Sequence, residues 1–202
     1  VGYDGTAAWL KQIGEAAGVP AERIAAASNA LLPAIKGALA GSPIDARITL
    51  SGYEGSELLV ARLLIEAGAD IPYVGTACPQ TKYSDADRAW LETKGVKVNY
   101  RASLEEDVAA VEEYEPDLAV GTTPVVQHAK ERGTPGLYFT NLISARPLMG
   151  PAGPASLAQV INTAVAGRDR LARMESFFDG VGEGDSSGIW PQTLAPGAGG
   201  QA

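Results

Sequence analysis

Apolar runs of strand length alternate with stretches of helical periodicity through most of the chain, which predicts a parallel sheet built from βαβ units. Ala46 to Leu50, Ile71 to Gly75, Val96 to Tyr100, Leu118 to Gly121 and Gly136 to Thr140 read as short strands, several rich in β-branched residues. Helix-start signals lie between them: Ser84 with Asp87 three residues on, Ser103 with Glu106 three residues on, and Pro124 at a first-turn position. Two helices precede the sheet, Gly5 to Ala17 behind a candidate cap at Asp4 and Ala21 to Ala40 behind Pro20, and one long helix, about Pro154 to Phe178, follows it. The fold class expected is α/β, a Rossmann-like doubly wound parallel sheet of about five strands. Residues 1–42 read as a helical linker, 43–180 as the Rossmann-like domain, and 181–202 as a Gly/Pro-rich tail that Trp190 could anchor.

The pattern breaks after the last strand. The segment Tyr138 to Ser156, YFTNLISARPLMGPAGPAS, runs from a strand into an apolar loop punctuated by Gly and Pro instead of a polar turn. Its Leu, Ile and Met side chains gain nothing in water, so the loop is expected either under a partner chain or around a large apolar ligand.

Composition narrows the classes. The 202 residues are 46% hydrophobic and 20% charged, ordinary globular material with ample core. With 16 Lys and Arg against 24 Asp and Glu, the formal charge of −8 argues against a nucleic-acid or anionic-membrane partner. The single Cys78 permits no internal disulfide, and no apolar run approaches the roughly 18 residues a membrane span needs. A cytoplasmic protein is expected. The start at Val1, without Met, reads as that of a piece of a longer polypeptide.

In a doubly wound sheet ligands belong at the carboxyl ends of the strands. Those ends are Ser51-Gly52-Tyr53-Glu54, Thr76-Ala77-Cys78-Pro79, Arg101, Gly121-Thr122-Thr123-Pro124 and Asn141 onward. The first is no dinucleotide fingerprint, because Glu54 stands where the second glycine belongs and its charge repels phosphate. No Gly-Lys-Ser or Gly-Lys-Thr exists for a phosphate loop. His128, the only histidine, reads as an exposed helical residue, Cys78 as a small packed thiol, and Asp85 and Asp87 as a solvated helix start. Glu105, Glu106, Glu112, Glu113 and Glu115 read as a solvated helix face. Thr122 and Thr123 are expected to cap a helix. Asn141 is expected to cap a turn, the alternative being a hydrogen bond to a ligand.

The runs PDLAVGTTP, GTPGLYFTN and NLISARPLMGPAG followed by SLAQVIN resemble the nitrogenase-like component-one family, in particular the Y-type subunits of its chlorophyllide-reducing branch more than the Z-type. The resemblance covers nearly the whole chain, its opening VGYDGTAAWLKQIGEAAGVP included. It implies a fragment of a two-component oxidoreductase, inactive alone. A Y-type and a Z-type subunit form a heterotetramer, and an ATP- and Mg-dependent iron–sulfur reductase component feeds it electrons through a [4Fe–4S] cluster. The cluster ligands lie upstream of Val1 in that family, so no metal ligand is assigned here. The implied substrate is a tetrapyrrole, with Asn141, Arg146, Leu148, Met149 and Gly150 as the residues facing it. Leu142 and Ile143 could also pack on such a disc. Arg146 either pairs with a propionate or ties the loop to an acidic helix or a partner subunit.

Overall fold

The computed structural model describes residues 1–145 and 149–178; Arg146, Leu148, the expected tail and its Trp190 lie outside them. The chain opens on α1 (Gly2–Ala16) and α2 (Ala21–Ala40) and then alternates: β1 (Arg47–Gly52), α3 (Glu57–Glu66), β2 (Asp70–Thr76), α4 (Asp85–Thr93), β3 (Lys97–Tyr100), α5 (Leu104–Tyr114), β4 (Leu118–Gly121), α6 (Thr123–Glu131), β5 (Gly136–Tyr138). Three helices follow, α7 (Phe139–Ala145), α8 (Gly153–Val165) and α9 (Arg168–Phe178). The strands form one parallel sheet in the order β3-β2-β1-β4-β5, the doubly wound arrangement expected. Among the described residues no helix is long and apolar enough to cross a membrane.

Alternation along β1 sorts the two faces. Ile48 and Leu50 are fully buried in the main core, with Val60, Leu63 and Leu64 of α3, Ile35 of α2, and Leu157 and Ile161 of α8. The opposite face meets α5 and α6, where Val111, Ala119, Val125 and Ala129 make a smaller core. Ser103 caps α5 as predicted: its hydroxyl accepts from the Glu106 N–H, and the Glu106 carboxylate accepts from the Ser103 N–H at 2.7 Å.

Several expected boundaries move, each for a tertiary reason. Asp4 is not a cap, because α1 starts two residues earlier and the Glu66 carboxylate of α3 accepts its first amides, those of Tyr3 and Asp4. Ser84 precedes α4 without a side-chain cap bond, since its hydroxyl donates to the Thr81 carbonyl and accepts from Tyr100 of β3 at 2.9 Å. Asp87 is not solvated: it pairs with Arg62 at 2.5 Å, and the Arg62 guanidinium lies 4.7 Å from the Trp90 ring centroid, fastening α4 to α3. The single terminal helix is two helices. Gly167 separates them, its N–H turning back to the Ala164 carbonyl. The last strand ends at Tyr138, and Phe139 and Leu142 on α7 plug into the main core, so the start of the expected loop is helix.

Candidate functional site

The sheet reverses its winding between β1 and β4, and the carboxyl ends there open a cavity of about 320 Å³. Tyr53 from the turn after β1, Thr122 and Thr123 at the start of α6, and Tyr138, Thr140 and Asn141 at the end of β5 and the start of α7 line it. The amino end of α6 faces this space with Pro124 in its first turn, so free backbone amides and the helix dipole favour an acceptor or a negative group. Thr122 holds the cap position without capping. Its hydroxyl is enclosed and has no hydrogen-bond partner among the described residues. Thr123 is the first residue of α6 and does not cap it either. On the rim, the Thr140 hydroxyl donates to Glu54 at 3.2 Å and lies 3.4 Å from the Tyr53 hydroxyl.

The residues expected to face a ligand separate here. Asn141 lines the cavity, on the first turn of α7 and not on a turn. Leu142 is buried and Ile143 packs against the same core, so neither is offered to a guest. Met149 is 63% exposed, and Gly150, also exposed, has φ 74°, the left-handed region that suits glycine.

A carboxylate that sequence reasoning passed over explains the missing nucleotide site. Glu57, the first residue of α3, is wholly enclosed; it accepts from the Glu54 N–H at 2.7 Å and from the Thr76 hydroxyl at 3.0 Å. A Cβ at Gly52 would stand 2.5 Å from the same carboxylate. The turn after β1 is thus filled by an anion of the chain itself, where a pyrophosphate would otherwise rest. An acidic residue in a first helical turn ordinarily faces water, and only the register of β1 against β2 brings Thr76 to it.

Asp107 of α5 was also read past. It is 6% exposed, accepts from the buried Tyr73 hydroxyl at 2.8 Å, and fills the space where a Gly75 side chain would project. Burial, against the counteracting Tyr73 hydrogen bond, pushes its carboxyl up to about 6, and burial with the Asp107 charge raises the Tyr73 phenol.

Cys78 is the packed thiol expected, its Sγ 3.5 Å from the Tyr53 carbonyl and its N–H bonded to Thr76. His128 is half-buried, not exposed, with Nε2 3.0 Å from Arg132 Nε and 3.1 Å from Glu112. Glu112 of the expected solvated face therefore joins α5 to α6 through Arg132. Among the described residues no group of three or more His, Cys, Asp or Glu is placed to hold a metal. An iron–sulfur cluster takes about four ligands, mostly Cys, and one thiol turned toward a carbonyl does not fit it.

The family described as nitrogenase component 1 type oxidoreductase matches residues 1–166. The chain is 70% identical over 190 residues to the chlorophyllide reductase 52.5 kDa chain of Cereibacter sphaeroides and 66% identical over 193 residues to that of Rhodobacter capsulatus. Those alignments cover 94% and 96% of this chain but 38% and 39% of the relatives, so it spans about two fifths of their length. The solved structure "Nitrogenase Cp1 at pH 6.5" superposes with a TM-score of 0.61 over 86% of this chain and 39% of that one, at 22% identity, a likeness of fold.

Proposed function

Because this chain belongs to the nitrogenase component 1 type oxidoreductase family, we propose that it is part of the Y-type subunit of a chlorophyllide a reductase. The observation that carries the reading is the 70% and 66% identity to two chlorophyllide reductase 52.5 kDa chains, sustained over nearly all of this sequence. In that role it pairs with a Z-type sister subunit in a heterotetramer of the cytoplasm. An ATP-dependent iron–sulfur component supplies electrons, and the ring B C7=C8 double bond of chlorophyllide a is reduced. The [4Fe–4S] cluster is held by residues outside this sequence, and residues 1–42 link the domain of 43–180 to them.

Two features of the site support the reading. The turn after β1 is occupied by Glu57, which suits a subunit whose nucleotide is bound by its partner component. The cavity between β1 and β4 sets polar Tyr53, Thr123 and Asn141 beside Phe139, and Met149 and Gly150 are exposed further along the chain, the mixture of apolar surface and few fixed polar groups that a broad flat pigment needs. In this reading Met149 packs on the macrocycle, Gly150 lets the backbone approach, and Arg146 and Leu148, which lie outside the described residues, supply a propionate partner and an apolar contact.

Assembling the subunit with its sister and its iron–sulfur component, under ATP and without oxygen, tests the function. Loss of the chlorophyllide a absorption band with growth of the reduced product is expected, and an inert complex would refute it. Arg146→Ala and Asn141→Ala are expected to weaken pigment binding by about tenfold each while cluster reduction stays intact.

A further inference from the structure

The cavity between β1 and β4 carries hydrogen-bond donors that the chain itself leaves unused. The Asn141 amide of α7 and the Thr123 hydroxyl of α6 line it, and neither side chain is hydrogen-bonded to another described residue. Both residues are exposed, so water or a ligand takes those bonds. Beside them α6 begins, and its first-turn amides have no helical acceptor. Donors from two elements thus converge on one space, brought together by the pairing of β4 with β1 and with β5.

The charge around that space is negative. Glu54 stands on its rim, where it accepts from the Thr140 hydroxyl at 3.2 Å, and Glu57 lies beneath its floor, 2.5 Å from where a Gly52 Cβ would project. Among the described residues that line the cavity none is Lys, Arg or His. Lys130 lies 5.6 Å from the Tyr138 ring centroid as a cation–π partner of that ring. A carboxylate entering here would meet two carboxylates with no lining cation to offset them, whereas a neutral oxygen takes the donors without that repulsion. Size sets a second limit. At about 320 Å³ the cavity is at the small end of ligand sites, which run from roughly 300 to 1,000 Å³, so it admits an edge of a tetrapyrrole and not the whole disc.

Chlorophyllide a offers alkyl and vinyl groups on rings A and B, an ionised propionate on ring D, and a ketone beside a methyl ester on the fifth ring, which is fused to ring C. Only the fifth-ring edge is a neutral oxygen acceptor. Resting on the function proposed above, we propose that this cavity orients the pigment: Asn141 and Thr123 donate to the fifth-ring ketone, while Glu54 and Glu57 turn the propionate edge away, toward Arg146. Ring B adjoins ring C, so its double bond is held outside the cavity, one pyrrole from the seated edge. Asn141 and Thr123 are then specificity-determining residues that fix which edge enters.

The test measures, by fluorescence titration on the complete reductase, the binding of chlorophyllide a and of its deoxo analogue, which has CH2 in place of the fifth-ring ketone. Native protein is compared with Asn141→Ala, Thr123→Ala and Arg146→Ala. Native protein is expected to bind the deoxo analogue at least about tenfold more weakly, because donors that meet the ketone are left unpaired beneath the pigment. That ratio should shrink to about threefold or less in Asn141→Ala and shrink in part in Thr123→Ala, whereas Arg146→Ala weakens both pigments and keeps it. Equal affinity of native protein for the two pigments overturns the proposal. So does a ratio that Asn141→Ala and Thr123→Ala both leave intact, or one that is lost in Arg146→Ala instead. If Asn141→Ala fails to assemble, Thr123→Ala and the native ratio decide the matter. A native reductase that binds neither pigment would strike at the function on which this orientation rests.

Discussion

Glu57 and Asp107 lie on opposite faces of the same sheet, each enclosed and each held by hydroxyl or amide donors without a paired cation. Removing such an acceptor leaves its donors unsatisfied where little water reaches. Glu57→Ala strands the Glu54 amide and the Thr76 hydroxyl and is expected to cost about 2–4 kcal/mol in urea unfolding, with Glu57→Gln costing less than half of that. An alanine variant as stable as native would mean that the carboxylate does not organise the turn. Gly75 makes a second test, because a Cβ there would stand 2.0 Å from Asp107 Oδ1. Gly75→Ala should destabilise by about 1–3 kcal/mol, and Asp107→Ala in the same chain should return part of that loss. Strictly additive effects would show that the two positions do not meet. Neither carboxylate could be singled out from the sequence. Both occupy first-turn or second-turn helix positions where acids are commonplace, and what encloses them is the register of β1 against β2.

Two stretches with the same local signature fared differently, and the difference locates what local pattern can decide. Ser103 with Glu106 closes a capping box because both groups lie within one turn and nothing else competes for them. Ser103→Ala is therefore expected to cost about 1 kcal/mol, read as a shift in the urea midpoint with an unchanged slope. A change in slope would point to altered compactness instead. Ser84 with Asp87 has a similar spacing, but Tyr100 arrives from β3 and Arg62 from α3 to take those side chains. The last strand shows a similar override. Phe139 is a strong strand former, yet its place as a core plug puts it at the start of α7, and Leu142 one turn on buries itself beside it. Half of the apolar segment thus satisfies itself, leaving Met149 outward.

At the scale of the whole molecule, burial couples stability to pH through Asp107. In the unfolded chain its carboxyl releases its proton near the ordinary 3.8, whereas the folded chain holds it to about 6. The stabilising contribution is present below the lower value, declines as pH rises between the two, and is gone above the upper one. The stability of native protein minus that of Asp107→Asn should accordingly fall between pH about 4 and 6 and stay level beyond. The drop should be on the order of 1 kcal/mol once solvent at the carboxyl edge is allowed for. Unfolding curves at a series of pH values check this, and a difference independent of pH would contradict it. The alternation of short apolar strands with helical periods, a property of neighbouring residues, sufficed to specify α/β class, strand identity and the absence of a dinucleotide fingerprint. Motif runs along the chain likewise sufficed for the family. The cavity between β1 and β4, the anion at the turn after β1 and the enclosure of Asp107 over Gly75 needed strand order and register. Each joins residues far apart in the chain, and which side chains meet there is set by how the sheet packs, not by any segment alone.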